Sequence, residues 1–333
     1  MKQFSCGECN NTLYFENTTC LKCRTPQGFD PVKMEMVSID QNLNKYCKNH
    51  DYGVCNWILP ISSPKAFCIS CSTNKTIPSL SDPENHNKWK AIEEAKHRVF
   101  YSLLMLKLNL NNILNGKETG LKFEFLASKP DKKVLTGHNN GLITLNIQEA
   151  DPVERNRAKK NLNEKYRTLM GHFRHEIGHY YWQVLIESNP NNLQAFRELF
   201  GDERIDYGQA LQKHYDTKTP ENWSQNYVSE YATAHPWEDW AETWAHYMHI
   251  MDTAETAQAY GMRLESYRER DVNEIPSAYN CPDFQQIVTA AIPLFLFATD
   301  LNNGMGLPSF YPFQITEGIK IKLEFIHSVI RNK

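Results

Sequence analysis

The chain lacks an apolar leader, a membrane-length hydrophobic run and any strong bias of charge. Its N-terminus, MKQFSCGECNN, is polar and has no h-region, so a secretory signal is not expected. The longest apolar run, Ala290 to Ala298, is about half of a membrane span and is interrupted by Pro293. A net charge of −3 over 333 residues gives no global argument for a nucleic-acid or anionic-membrane partner. Internal repeats and low-complexity tracts are missing as well. These absences point to a soluble, cytoplasmic protein without a membrane partner. A hydrophobic fraction of 41% and a charged fraction of 23% are ordinary for a globular chain. The length leaves room for more than one domain and a sizeable core.

Cysteine is almost missing from the last three-quarters of the chain. Of nine cysteines, eight fall before residue 72, and Cys281 has no neighbour with which to pair. It reads as an ordinary, partly buried thiol. Without a signal peptide, the crowded head favours metal binding over disulfides. Cys6-x-x-Cys9 and Cys20-x-x-Cys23 are two knuckles with ten intervening residues. Each thiolate pair can take one face of a tetrahedral Zn²⁺, which is the zinc-ribbon arrangement. Cys47, Cys55, Cys68 and Cys71 are spaced by seven, twelve and two residues and read as a second four-cysteine zinc site. His50 is a possible substitute ligand, although a solvated loop histidine is the plainer reading. Residues 1–75 carry eight Lys/Arg against six Asp/Glu, which is no basic stripe, so nucleic acid is not the expected target. The head reads as a self-folding prop or a docking module for a protein partner.

A Pro/Ser-containing linker, 76–87, separates this head from residues 88–333. Lys88 to Leu108 predicts a helix, with Trp89, Ile92, Val99, Phe100, Leu103 and Leu106 recurring at helical spacing. Leu121 to Ala127 and Gly141 to Asn146 alternate like strands. Asp151-Pro152-Val153-Glu154 is a helix start, with a capping acid and Pro at N1. A helix follows at about Tyr166 to Glu187, and nearly everything after it reads helical. A small sheet followed by helices predicts an α+β fold.

The most informative stretch is HFRHEIGHYYWQVL. On a helix, His175 and His179 of His-Glu-x-x-His lie one turn apart on one face and can grip one metal ion. Glu176 is placed to take a proton from a metal-bound water, the core of a zinc peptidase site. A catalytic zinc needs a third protein ligand and leaves the fourth position to water. The segment Pro236 to His246 supplies carboxylates. On its helical wheel Trp237, Trp240, Ala241, Trp244, Ala245 and Met248 form an apolar face. Glu238 and Glu242 lie on the flank, one turn apart, with His249 between them in angle. Either glutamate could reach a site from there. Asp202, in FGDERIDYG, is a rival third ligand but lacks the GTxDxxYG surroundings of an aspzincin. His138 and His235 read as hydrogen-bonded structural histidines.

These residues resemble the gluzincins, and beyond them the bacterial Peptidase Mx family of zinc-binding metallopeptidases with an N-terminal zinc ribbon. The resemblance covers almost the whole chain. It includes the cysteine head, Cys55-Asn-Trp57, TGHNNGLITLNI, YRTLMGHFRHEIGHYYW, FGDERIDY and GLPSFYPF. Around residue 302 the chain reads LNNGMG, where a more basic LNRSMG-like run is expected. The resemblance implies a zinc metallopeptidase with Glu238 as the third ligand. Glu242 would hydrogen-bond a ligand histidine and fix its tautomer. Tyr231, seven residues before Glu238, would donate to the oxyanion of the tetrahedral intermediate. The strand Gly141 to Asn146 resembles the edge strand on which such peptidases lay an extended substrate. The cofactors expected are one catalytic and two structural Zn²⁺, and the partner a peptide or protein substrate. Two other functions compete. A non-catalytic, zinc-stabilised binding or adaptor protein has no chemical need of Glu176. A DNA-associated protease sits poorly with the weak charge of the head.

Overall fold

The computed structural model describes residues 1–110, 113–114, 117–118, 120–128, 133–161, 166–265 and 272–332. The architecture is α+β, with small sheets, a cysteine-rich head and a helical second half. Two compact units are formed, Gln3–Ile113 with Glu118–Phe173, and Met1–Lys2 with Leu114–Lys117 and Arg174–Lys333.

In the first unit the head is built from short antiparallel hairpins: Phe4–Ser5 with Thr12–Leu13, Gln27–Asp30 with Glu35–Ser38, and Asn44–Tyr46 with Ile58–Pro60. Helix α1 spans Pro83–Met105 rather than starting at Lys88. Asp82 accepts from the Glu84 N–H and Pro83 occupies N1, so the first turn forms inside the expected linker. The predicted apolar face of α1 is buried at Trp89, Ile92, Val99, Phe100, Leu103 and Leu106. Tyr101 of α1 packs on Phe15 and Phe29 of the head, with ring centroids at 5.7 and 6.0 Å. A head of this size has too little apolar surface to make a large core alone, and α1 completes it.

Strand Asn74–Thr76, at the end of the head, joins a four-stranded sheet. The order is Gly137–Asn139, Leu142–Asn146, Lys122–Leu126, Asn74–Thr76. Phe123, Phe125, Ile143 and Leu145 point into the core, as the alternation predicts. Leu142–Asn146 is parallel to Lys122–Leu126 on one side and antiparallel to Gly137–Asn139 on the other. It is an interior strand, which corrects the expected edge. The type of turn explains this: Asn140 and Gly141 both have positive φ, so GHNNG closes a tight hairpin and folds 137–139 back onto the strand.

Helix α2, Pro152–Asn161, opens as predicted, with Asp151 Oδ1 accepting from the Val153 and Glu154 N–H groups. Helix α3, Leu169–Trp182, carries the His-Glu-x-x-His motif and runs into a π turn at Gln183–Glu187. Its start is fixed within the first unit. Thr168 Oγ1 accepts from the Gly171 N–H at 2.9 Å, and Glu149 lies 2.8 Å from Arg167 and 3.3 Å from His172. Burial would raise the Glu149 carboxyl, but His172 and Arg167 outweigh it and hold it down at about 2. A depressed carboxylate stabilises the fold above its ordinary range, and this contribution is lost as pH falls toward about 2. Glu149→Gln is therefore expected to cost about 1–2 kcal/mol at pH 7. Urea denaturation should show the gap narrowing at pH 3 and closing as pH falls through about 2, and an equal deficit at pH 7 and pH 3 would refute an ionic origin.

In the second unit follow α4 (Pro190–Phe200), α5 (Tyr207–Asp216), α6 (Pro236–Ala259), α7 (Phe284–Gly304) and α8 (Glu317–Arg331). The core of this unit lies around α6, where Trp240, Ala241, Trp244, Ala245 and Met248 of the predicted face are buried and Trp237, in the first turn, is half-buried. Lys322 of α8 reaches Asp239 at 2.6 Å, a buried ion pair that ties α8 to the first turn of α6. Helix α7 is long and apolar enough to cross a membrane by length and composition. Here it buries Ile287, Val288, Ala291, Leu294 and Phe295, and leaves Leu296 and Leu301 exposed.

Candidate metal centre

The centre forms where α3 and α6 approach closely, and the first requirement is the small residue inside the motif. A Cβ on Gly178 would stand 3.1 Å from Ala241 Cα and 3.1 Å from Trp244 Cδ1. Glycine there lets the two backbones come together, and the Trp240 indole N–H donates to the Gly178 carbonyl at 2.9 Å. That contact sets the register of α6, which then presents Glu238 and Glu242 to the histidines.

His175 Nε2, His179 Nε2 and Glu238 Oε2 converge. The two nitrogens are 3.2 Å apart, and Oε2 lies 3.0 Å from His175 and 3.6 Å from His179. Donors at ~2.0–2.2 Å from a tetrahedral Zn²⁺ stand about 3.3 Å from one another, so the triangle has the dimensions of a zinc site. Glu238 is 1% exposed, and beyond the two imidazoles its Oε2 has no hydrogen-bond donor among the described residues. A buried carboxylate oxygen in that position is costly unless a cation satisfies it. Burial alone would raise the Glu238 carboxyl, but His179 and His175 outweigh it and hold it well below the ordinary range.

Glu242 has a different job. Its Oε1 accepts from His175 Nδ1 at 2.7 Å and its Oε2 from the Ser229 hydroxyl at 2.6 Å. A proton on Nδ1 leaves the Nε2 lone pair free for a metal. Despite burial, which opposes it, the bond from His175 keeps the Glu242 carboxyl at about 2. Burial would lower the His175 imidazole, but the same two carboxylates outweigh it and raise it well above the usual value. Of the two glutamates, Glu238 thus sits among the metal donors and Glu242 behind one of them.

Tyr231 stands in a short 3-10 turn just before α6, its ring centroid 6.1 Å from that of His175. Burial, then the charge of Glu238, push its hydroxyl far above the usual range, so it stays a proton donor. Glu176 is half-buried beside the histidines on α3. The remaining candidates go elsewhere. Asp202 spends its carboxylate on Arg204 at 2.8 Å. His235 caps α6 through the Trp237 N–H, and His138 accepts from the Gly141 N–H. His249 turns to Arg174.

Two residues of the centre carry no signal in helical spacing. Tyr207, the first residue of α5, donates to Glu238 Oε1 at 2.6 Å. Ser229 braces Glu242. Tyr207 falls in FGDERIDY, one of the segments that carry the resemblance, but its direction only follows from how α5 packs.

The head holds two cysteine clusters, each with its four sulfurs within 4.8 Å of one another. In the first, Cys6–Cys23 and Cys9–Cys20 are both 3.6 Å apart. A tetrahedral zinc centre of four thiolates with bonds of ~2.3 Å has sulfurs about 3.8 Å apart, which fits. In the second, Cys47, Cys55, Cys68 and Cys71 are all buried, and backbone N–H groups of Trp57, Cys68 and Cys71 point at sulfurs at 3.3–3.4 Å. His97 of α1 adds its Nε2 at 3.5 Å from Cys55 and 3.7 Å from Cys71, a neighbour the spacing could not disclose. His50 is not a solvated loop residue: its ring stacks on Tyr46 at 3.7 Å and its Nδ1 meets the Cys55 carbonyl. Cys281 is buried and its thiol donates to the Asp283 carbonyl.

The chain is similar to known proteins along almost its whole length. Residues 85–329 match the model of the Peptidase Mx family, described as "Putative zinc-binding metallo-peptidase", and residues 3–82 match a zinc-ribbon domain. An uncharacterized protein of Mycobacterium bovis is 39% identical over 331 residues, covering 99% of this chain and 95% of its own. Uncharacterized proteins from two strains of Mycobacterium tuberculosis are similar to the same extent. No solved structure matches the chain. With a ribbon of paired cysteines in front and a histidine–carboxylate cluster of zinc dimensions behind, the chain belongs to the Peptidase Mx family of zinc-binding metallopeptidases.

Proposed function

We propose that the protein is a zinc-dependent peptidase of the gluzincin type, acting on peptide or protein substrates, with one catalytic and two structural zinc ions. The observation that carries this reading is the triangle of His175 Nε2, His179 Nε2 and Glu238 Oε2, whose buried oxygen has no other donor among the described residues. When bound there, zinc supplies a Lewis acid that lowers the pKa of its water toward ~7.

The residues divide the remaining work. Glu176 takes a proton from the attacking water and returns it to the leaving amine. Tyr231, kept protonated by its surroundings, donates to the carbonyl oxygen as it becomes an oxyanion. Glu242 holds His175 in the tautomer that leaves Nε2 available, and Ser229 holds Glu242. The cysteine clusters hold the first unit together, and the ribbon can present a surface to a protein partner.

The test is the zinc content of protein purified without added metal, for wild type and Glu238→Ala in parallel. About three zincs per chain in wild type and one fewer in the variant is the expected result. Two in both proteins would sink the proposal.

A further inference from the structure

We infer that Tyr207 is a positioning residue for the third ligand: its hydroxyl occupies one oxygen of Glu238, so that the carboxylate offers only the other to the metal. The inference rests on the metallopeptidase reading above and goes beyond it. The two oxygens of Glu238 have separate surroundings. Oε1 accepts from the Tyr207 hydroxyl at 2.6 Å, while Oε2 faces both histidine nitrogens. A zinc carboxylate free of such a bond can bring both oxygens to the ion, which takes the position that water must hold. The bond from Tyr207 opposes that swing and fixes the plane of the carboxylate.

Tyr207 is suited to this by its own neighbours. Its phenol, with an ordinary pKa of about 10, keeps its proton at neutral pH and donates it to the carboxylate at 2.6 Å. Asp206 caps α5 by accepting from the Gln209 N–H at 2.7 Å, so Tyr207 stands at a fixed helix start. The residue is 38% exposed, so loss of the hydroxyl leaves no hole in the core.

The experiment uses full-length protein dialysed against graded concentrations of a zinc chelator, with zinc counted by elemental analysis and the fold checked by thermal melting. Tyr207→Phe is expected to release one zinc at roughly 10–100-fold lower chelator strength than wild type, the usual cost of losing a group that orients a ligand. The cysteine-bound zincs should leave together with those of wild type. Tyr207→His, which can still donate a hydrogen bond, should recover part of the loss. A Tyr207→Phe protein that melts like wild type and holds every zinc equally tightly would overturn the inference and leave the metallopeptidase reading standing. If Glu238→Ala leaves the zinc content of the protein unchanged, the reading falls and takes the inference with it.

Discussion

Glu176→Gln is expected to keep the full zinc content and to lose peptide cleavage by at least about 10²–10⁴-fold, the contribution of a positioned general base. Glutamine has nearly the same shape, so the packing of α3 is preserved. It cannot accept a proton from water, nor pass one to the leaving amine. Because Glu176 is absent from the metal-donor cluster, the substitution separates chemistry from metal binding. The measurement pairs elemental analysis with cleavage of unfolded casein and of a mixed peptide library, each with and without chelator. Chelator-sensitive cleavage that is equal in wild type and variant would remove Glu176 from the mechanism. Parallel loss of zinc would show that the residue acts on the centre rather than on the water.

Cys55→Ser is expected to unfold much of the first unit. All four sulfurs of its cluster are buried, and Cys55 Sγ also receives the Trp57 N–H and faces His97. Trp57 is fully buried, 4.9 Å from Phe29 and 5.1 Å from His97 in ring centroids, so the cluster and the aromatic core hold each other. Structural zinc contributes an apparent ~10–16 kcal/mol in small zinc modules, as much as the whole stability of a typical domain. Losing one of four ligands forfeits a large share of this and leaves buried thiolates unpaired. Thermal melting and zinc content together report the effect. A fall of tens of degrees with one zinc lost is expected. Cys281→Ser, which keeps a donor near the Asp283 carbonyl, should change stability by under ~1 kcal/mol. A Cys55→Ser protein that melts with wild type would deny the second cluster a structural role.

Much of this was legible from local spacing. Two cysteines separated by two residues face one ion, and two histidines four apart share one face of a helix, whatever the rest of the chain does. The apolar face of α1 and the alternation at Phe123, Phe125, Ile143 and Leu145 were readable for the same reason, because period and burial are coupled within one element. The start of α1 was misplaced by five residues, since Asp82 and Pro83 read as linker until the cap is seen.

The sequence by itself determined which chemistry is available: two cysteine clusters, a histidine pair and an adjacent acid. It left open which glutamate meets the metal, because Glu238 and Glu242 are equivalent on a helical wheel. Only tertiary structure separates them. The approach of α6 to α3 over Gly178 sets one carboxylate against two Nε2 atoms and the other against Nδ1. The same holds for Tyr207, Ser229 and His97, which lie 31, 13 and 26 residues from the groups they touch. Contacts over such separations follow from the packing of whole helices, and no periodicity within one segment encodes them. The interior place of Leu142–Asn146 was decided likewise, by a hairpin partner and a parallel partner that meet it only in the folded sheet.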